Sequence, residues 1–207
     1  MASSIELESS RGTFDAIYQR RAVRSFTTEP VTEATVRRLL DAAVHAPTAM
    51  HLEPWAFVVI QDRAALRRYS DQAKVIAQGE ATTHRDLLKA PTLAASASEH
   101  LRLLSGPSFD IFHGAGTLIL ICAKPLGSFA TADCWLAAEN LMLAGCALGL
   151  GTCCIGYAVP VLNAPDVKRE LGIPEDVTAV APIIVGVPQG PVPGVPRRPP
   201  EILRWVR

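Results

Sequence analysis

At 207 residues, 49% apolar and only 6% aromatic, the chain is long enough to bury a substantial core. That composition suits helices packed on a sheet better than a β-sandwich. Twenty Lys and Arg balance twenty Asp and Glu, so the overall charge gives no pull toward nucleic acid or an anionic membrane, and any anion recognition must be local.

The opening stretch MASSIELESSRG lacks the basic start and apolar centre of a signal peptide and reads as a polar lead-in over residues 1–12. Thr13 is placed to cap a short helix from Phe14 to Gln19, whose end delivers Arg20, Arg21 and Arg24. Thr32 is the expected cap of a second helix carrying Val36, Leu39, Leu40 and Ala43 on one face. That helix should stop before Pro47, because the residue ahead of a proline avoids the helical region. WAFVVI, 55 to 60, has the length and β-branched content of a strand. Residues 63 to 78 read as an amphipathic helix, and 81 to 104 as helical with a start or kink at Pro91.

GTLILICA, 116 to 123, is expected as a central strand covered on both faces. TADCWLAAENLMLAGCALGLG is apolar nearly all round, so the helix it forms should run through the core. Glu139 and Asn140 interrupt it, and it is too short and too polar to span a membrane. TCCIG reads as a short strand or extended loop, 164 to 171 as a helix, and 178 to 187 as a last strand. Pro182 argues for an edge or a bulge there. The prolines of 188–207 make a stiff, extended arm that cannot build a core of its own. With no internal repeat and no second boundary, residues 1–207 are expected as one domain. The five cysteines are odd in number and show no metal-ligand spacing, so they read as small buried hydrophobes suited to a reducing cytoplasm.

Three arginines within five positions have three readings: a solvated turn, a nucleic-acid contact, or a phosphate clamp. Planar guanidinium forks suit a phosphate dianion, and Arg197 and Arg198 in the arm could join them if it folds back. Spacing alone does not choose between these.

RRAVRSF followed by PV, then LLDAAVHAPTAMHLEPWAFVVIQD, resembles the N-terminal signature of the FMN-dependent nitroreductase family. DCWLAAENLMLAGCALGLGTCCIG resembles that family's long helix and its G-L-G ending, and VGVPQGPVPGVPRRPPE its terminal segment. Four blocks in the family's order cover nearly the whole chain from Arg20 onward; 63 to 110 match least. The resemblance implies an α+β fold, a mostly antiparallel central sheet flanked by helices, in an interlocked homodimer that exchanges C-terminal arms. It implies that Arg20, Arg21 and Arg24 hold the FMN phosphate and ribityl chain, with Ala22 contributing backbone only. Arg197, with Arg198 beside it, would reach the same phosphate. Pro47, Thr48, Ala49 and His51 would line the flavin from the partner subunit, and Cys154, Ile155 and Gly156 would meet the ring near N5 and O4 through backbone groups.

The activity so implied is ping-pong: NADH or NADPH gives a hydride to flavin N5, and a nitroaromatic, quinone or similar small acceptor takes the electrons. No side chain is assigned as general acid or base, and no metal, nucleic acid or membrane is implied. Three positions depart from the family pattern: His51 stands for its Asn, Glu53 for its Gln and Cys154 for its Trp. His51 can still donate and accept a hydrogen bond. Cys153 and Cys154 are adjacent, a poor geometry for a redox pair. The alternatives are a non-catalytic flavin-binding or flavin-storage protein of the same fold, and a specialised relative that reduces enones, dehalogenates or cleaves the flavin.

Overall fold

Four apolar runs pair into one sheet. In the computed structural model, which describes residues 12–83, 106 and 108–207, these are β1 (Trp55–Ile60), β2 (Thr117–Ala123), β3 (Gly151–Cys154) and β4 (Thr178–Gly186). They stand in the order β1-β2-β4-β3. Every neighbouring pair is antiparallel, so the α+β expectation holds and the described sheet is wholly antiparallel.

All seven residues of β2 are buried, as expected of a strand covered on both faces. Period-two alternation sends Leu118, Leu120 and Cys122 to one layer, and Ile119 and Ile121 to the other. The first layer is closed by α3 (Arg63–Thr83) and the short helices α5 (Val159–Leu162) and α6 (Pro165–Glu170). The second is closed by α2 (Glu33–Val44) and α4 (Ala130–Ala147). Each fully buried Leu or Ile contributes about 1.5–3 kcal/mol. Residues 118 to 121 therefore anchor both layers.

α2 forms as the sequence predicts. Thr32 accepts a hydrogen bond from the Thr35 N–H at 3.2 Å, and Val36, Leu39 and Ala43 face the sheet. The first helix, α1 (Thr13–Gln19), differs in its cap: Gly12 is the N-cap, and Thr13 is the first helical residue. The helix expected over 81 to 104 lies mostly outside the described residues.

Two expectations are corrected. Pro182 is not on an edge, since β4 lies between β2 and β3. The bulge half of that expectation is met nearby, where the β2 register shifts between Ile121 and Cys122, opposite Ala181 and Ala179. Pro182 lacks an N–H, but its carbonyl accepts the Ile155 N–H at 2.9 Å, so its acceptor is satisfied within the sheet. The second correction concerns α4. It does not run through the core of the chain but packs one face on it, burying Asp133, Cys134, Ala137, Ala138 and Leu141. Trp135 and Leu136 remain 43% and 45% exposed. Apolar character all round therefore marks a helix with a second, uncovered apolar face.

The arm begins by pairing. Thr27 donates its N–H to Val187 O at 2.9 Å, and Gln189 donates to Ser25 O at 2.9 Å. Beyond that it has no regular structure, and its apolar residues are exposed, Leu203 and Trp205 among them.

Candidate functional site

After α1 the chain turns extended and lies along the outer side of β3. Ala22 bridges Thr152 in parallel fashion, and the Val23 N–H donates to Thr152 O at 3.0 Å. The approach requires glycine: a Cβ at Gly151 would lie 2.8 Å from Val23 Cβ. The arginine segment is thus fixed to an edge strand.

The three arginines do different things there. Arg20 is partly buried, and its Nε stands 3.5 Å from Glu139 Oε1 on α4. Arg21 donates through Nη1 to Tyr18 O at 2.6 Å and to Arg20 O at 2.8 Å, satisfying carbonyls that α1 leaves open at its end. Arg24 is exposed, and its charge is felt at Cys153 and His113. Arg20 and Arg21 line a cleft of about 360 Å³ together with Cys146, Gly149, Thr152 and Val192.

β3 leads into Cys154, Ile155 and Gly156. The Ile155 N–H is committed to Pro182 O. Alternation along the strand then turns the Cys154 N–H away from β4, to the side on which the arginine segment lies. A Cβ at Gly156 would meet nothing within 4 Å, so that backbone is open to an approaching flat group. Burial pushes the Cys153 thiol up and the Cys154 thiol up to about 11, which disfavours the reactive thiolate. Both are free.

Pro47, Thr48, Ala49 and His51 stand elsewhere. They follow α2 and lead into β1, the opposite edge of the sheet from β3. Three interstrand steps, about 14 Å, separate the two edges. Met50, His51 and Glu53 have φ of 54°, 55° and 44°, left-handed conformations that cost a non-glycine residue about 1–2 kcal/mol each. What holds them is a small set of bonds. Leu52 donates to Ala49 O at 3.1 Å, Glu53 to Thr48 Oγ1 at 3.5 Å, and Ala49 to Asp133 Oδ2 at 3.2 Å. His51 and Glu53 are exposed.

The arm passes over the arginine segment, since a Cβ at Gly194 would lie 3.7 Å from Arg21 Nη2. Arg197 and Arg198 follow three and four residues later, exposed, and neither is hydrogen-bonded or ion-paired among the described residues. One chain therefore brings together Arg20, Arg21, Ala22, Arg24, Cys154, Ile155 and Gly156. It leaves the 47–51 loop on the other edge and Arg197 and Arg198 unattached.

Sequence reasoning missed Asp133, Glu139 and His113. Asp133 carried a signal, being an acidic residue in the first turn of an otherwise apolar helix that is now found 5% exposed. His113 sits edge-on to Phe109, and burial, with Arg24 adding to it, lowers its pKa against the opposing pull of Asp110. Among the described residues no group of His, Cys, Asp or Glu could hold a metal, and no helix is long and apolar enough to cross a membrane.

An antiparallel α+β fold with a basic cleft on the outer side of an edge strand defines the class. The nitroreductase family model matches residues 17–187, from just before the arginines to the start of the arm, and the chain belongs to that family. A candidate NADH dehydrogenase/NAD(P)H nitroreductase of Archaeoglobus fulgidus is 26% identical over 178 residues, covering 84% of this chain and 83% of the relative. A 5,6-dimethylbenzimidazole synthase of Rhodospirillum rubrum is 30% identical over 197 residues, covering 90% of this chain and 88% of the relative. The crystal structure of a nitroreductase with bound FMN from Bacteroides fragilis superposes with a TM-score of 0.76 at 22% identity, covering 95% of this chain and all of the other.

Proposed function

We propose that the protein is a single-domain, FMN-dependent NAD(P)H oxidoreductase that works as a homodimer on a nitroaromatic, quinone or similar small acceptor. The observation that carries this reading is the Val23–Thr152 pairing, which sets the arginines beside the outward-facing backbone of Cys154. The donor set fits FMN: guanidinium groups line a cleft of about 360 Å³ for a phosphate, and the backbone at Gly156 is open to a ring. Once bound, FMN would supply two-electron transfer between the nicotinamide and the acceptor.

The chain's own residues bind and orient. Arg20 and Arg24 neutralise the phosphate, while Arg21, tied to the end of α1, holds the segment's backbone and offers its remaining donors. Ala22 has no hydroxyl to give, so the arginines carry more of the phosphate binding. Arg197 and Arg198 close over the site as the arm settles. Pro47, Thr48, Ala49 and His51 come from a second copy. The uncovered apolar surface of α1 and α4 (Phe14, Tyr18, Trp135, Leu136) and of the arm supports that dimer. Five free cysteines suit a reducing cytoplasm.

The test is anaerobic reduction of the FMN-loaded protein by NADH and by NADPH, followed by a panel of acceptors. Bleaching by either donor, then reoxidation by a quinone or nitroaromatic, is the expected result; a flavin that neither donor reduces overturns the reading. The identity to the dimethylbenzimidazole synthase favours a second reading, a specialised flavin reaction. Under it the flavin bleaches but passes no electrons to those acceptors.

A further inference from the structure

Asp133 is one of few charged side chains buried in the described chain, and among the described residues its carboxylate accepts its hydrogen bond from the Ala49 N–H. That amide opens the turn in which Met50 and His51 are left-handed, with Glu53 left-handed two residues on. Relaxed, residues of these types return to the right-handed or extended regions. The turn is otherwise closed by two bonds from within itself, one of them at 3.5 Å. Among the described residues, the bond from Asp133 is the hydrogen bond that ties it to the core, because α4 is packed against the sheet along its buried face.

We propose that Asp133 is a positioning residue: its carboxyl oxygen fixes the 49–53 turn in a left-handed shape that presents the backbone and His51 to the flavin bound across the dimer. The inference rests on the flavin reading above. It places the origin of that loop's order in α4 rather than in the loop's own sequence. It also accounts for a buried acidic residue in a largely apolar helix, where a buried polar group is costly unless it is bonded.

The experiment compares the full-length wild-type chain with Asp133→Ala and Asp133→Asn, since asparagine keeps an acceptor oxygen. In the apo-protein, amide exchange at Ala49, Leu52 and Glu53, the hydrogen-bonded amides of the turn, should speed up about tenfold or more in Asp133→Ala, with the amides of β2 unchanged, and Asp133→Asn should largely restore the slow rate. On FMN addition, Asp133→Ala should bind about tenfold more weakly and show an altered visible circular dichroism band, which a loss of global stability alone would not produce in folded protein. If Asp133→Ala does not fold, Ala49→Pro removes the donor from the other side. Thr48, with φ −130° and ψ 151°, already has the shape a residue before proline prefers, and exchange is then read at Leu52 and Glu53. Wild-type exchange in these variants, or an unchanged flavin affinity and band, overturns the proposal. A wild-type chain that takes up no FMN overturns the flavin reading and the loop's part in it, while the exchange rates still decide whether Asp133 orders the turn.

Discussion

Val23 donates its backbone N–H to Thr152 O across 3.0 Å, and Gly151 beside it leaves no room for a Cβ, which would stand 2.8 Å from Val23 Cβ. The two residues are far apart in sequence, yet their pairing decides where the arginines stand. Gly151→Ala should therefore push the arginine segment off β3. The expected cost is about 1–3 kcal/mol in unfolding free energy, as for other overpacked sites, with a loss of FMN affinity that Ala at an exposed glycine away from the site, such as Gly79 on α3, does not produce. Urea unfolding and FMN titration of both variants check this.

Glu139 is paired with Arg20 and would compete with a phosphate held there. The pair is half-exposed on the Glu139 side and 3.5 Å long, and such pairs are worth about 0–1 kcal/mol. Glu139→Gln should then tighten FMN binding by up to about fivefold, most clearly at low salt, whereas Arg20→Ala should weaken it by about tenfold or more. Fluorescence titration at two salt concentrations separates the two effects.

The thiols give a prediction in pH. Burial raises Cys122 and Cys154 to about 11 and Cys134 to about 12, from an ordinary 9.0. A thiol moved from 9 to about 11 carries roughly a hundredth of the thiolate at pH 8, so native Cys154 should react with a disulfide reagent about a hundredfold more slowly than the unfolded chain. These thiols are raised, so their contribution to stability is complete below pH 9 and is lost as pH rises through 11. Stability measured by urea between pH 8 and 11 should fall accordingly.

His113 acts at the other end of the scale. Burial, then Arg24, lowers its pKa below the ordinary 6.5, so the unfolded chain binds the extra proton first. Its contribution is therefore complete above pH 6.5 and is lost as pH falls through the lower, folded value. His113→Gln should flatten the stability profile on the acid side of 6.5 and leave the neutral side unchanged in slope.

The sequence carried the strands and the packed face of α2 in plain form, because apolar periodicity and one threonine cap are local signals. Arg20, Arg21 and Arg24 were legible as a cluster, but their division of labour was not. That Arg21 turns back on Tyr18 O and that Arg20 meets Glu139 depend on how α1 ends and where α4 docks. Pro182 misled for a related reason. A proline is barred from a central strand by its missing donor, yet its carbonyl is in use here and a neighbouring register shift absorbs the irregularity. The all-round apolar pattern of α4 was read as one core, when half of it remains uncovered in the single chain. Asp133 went unnoticed because its partner lies 84 residues away.

Phosphate recognition by the arginine segment is measured most directly by equilibrium binding of FMN against riboflavin, which differ only in that phosphate. At low salt FMN should bind at least about a hundredfold more tightly than riboflavin, with the gap narrowing as salt rises and shrinking by about tenfold or more in Arg20→Ala. Equal affinity for the two flavins, or a gap untouched by Arg20→Ala, would contradict the placement of the phosphate.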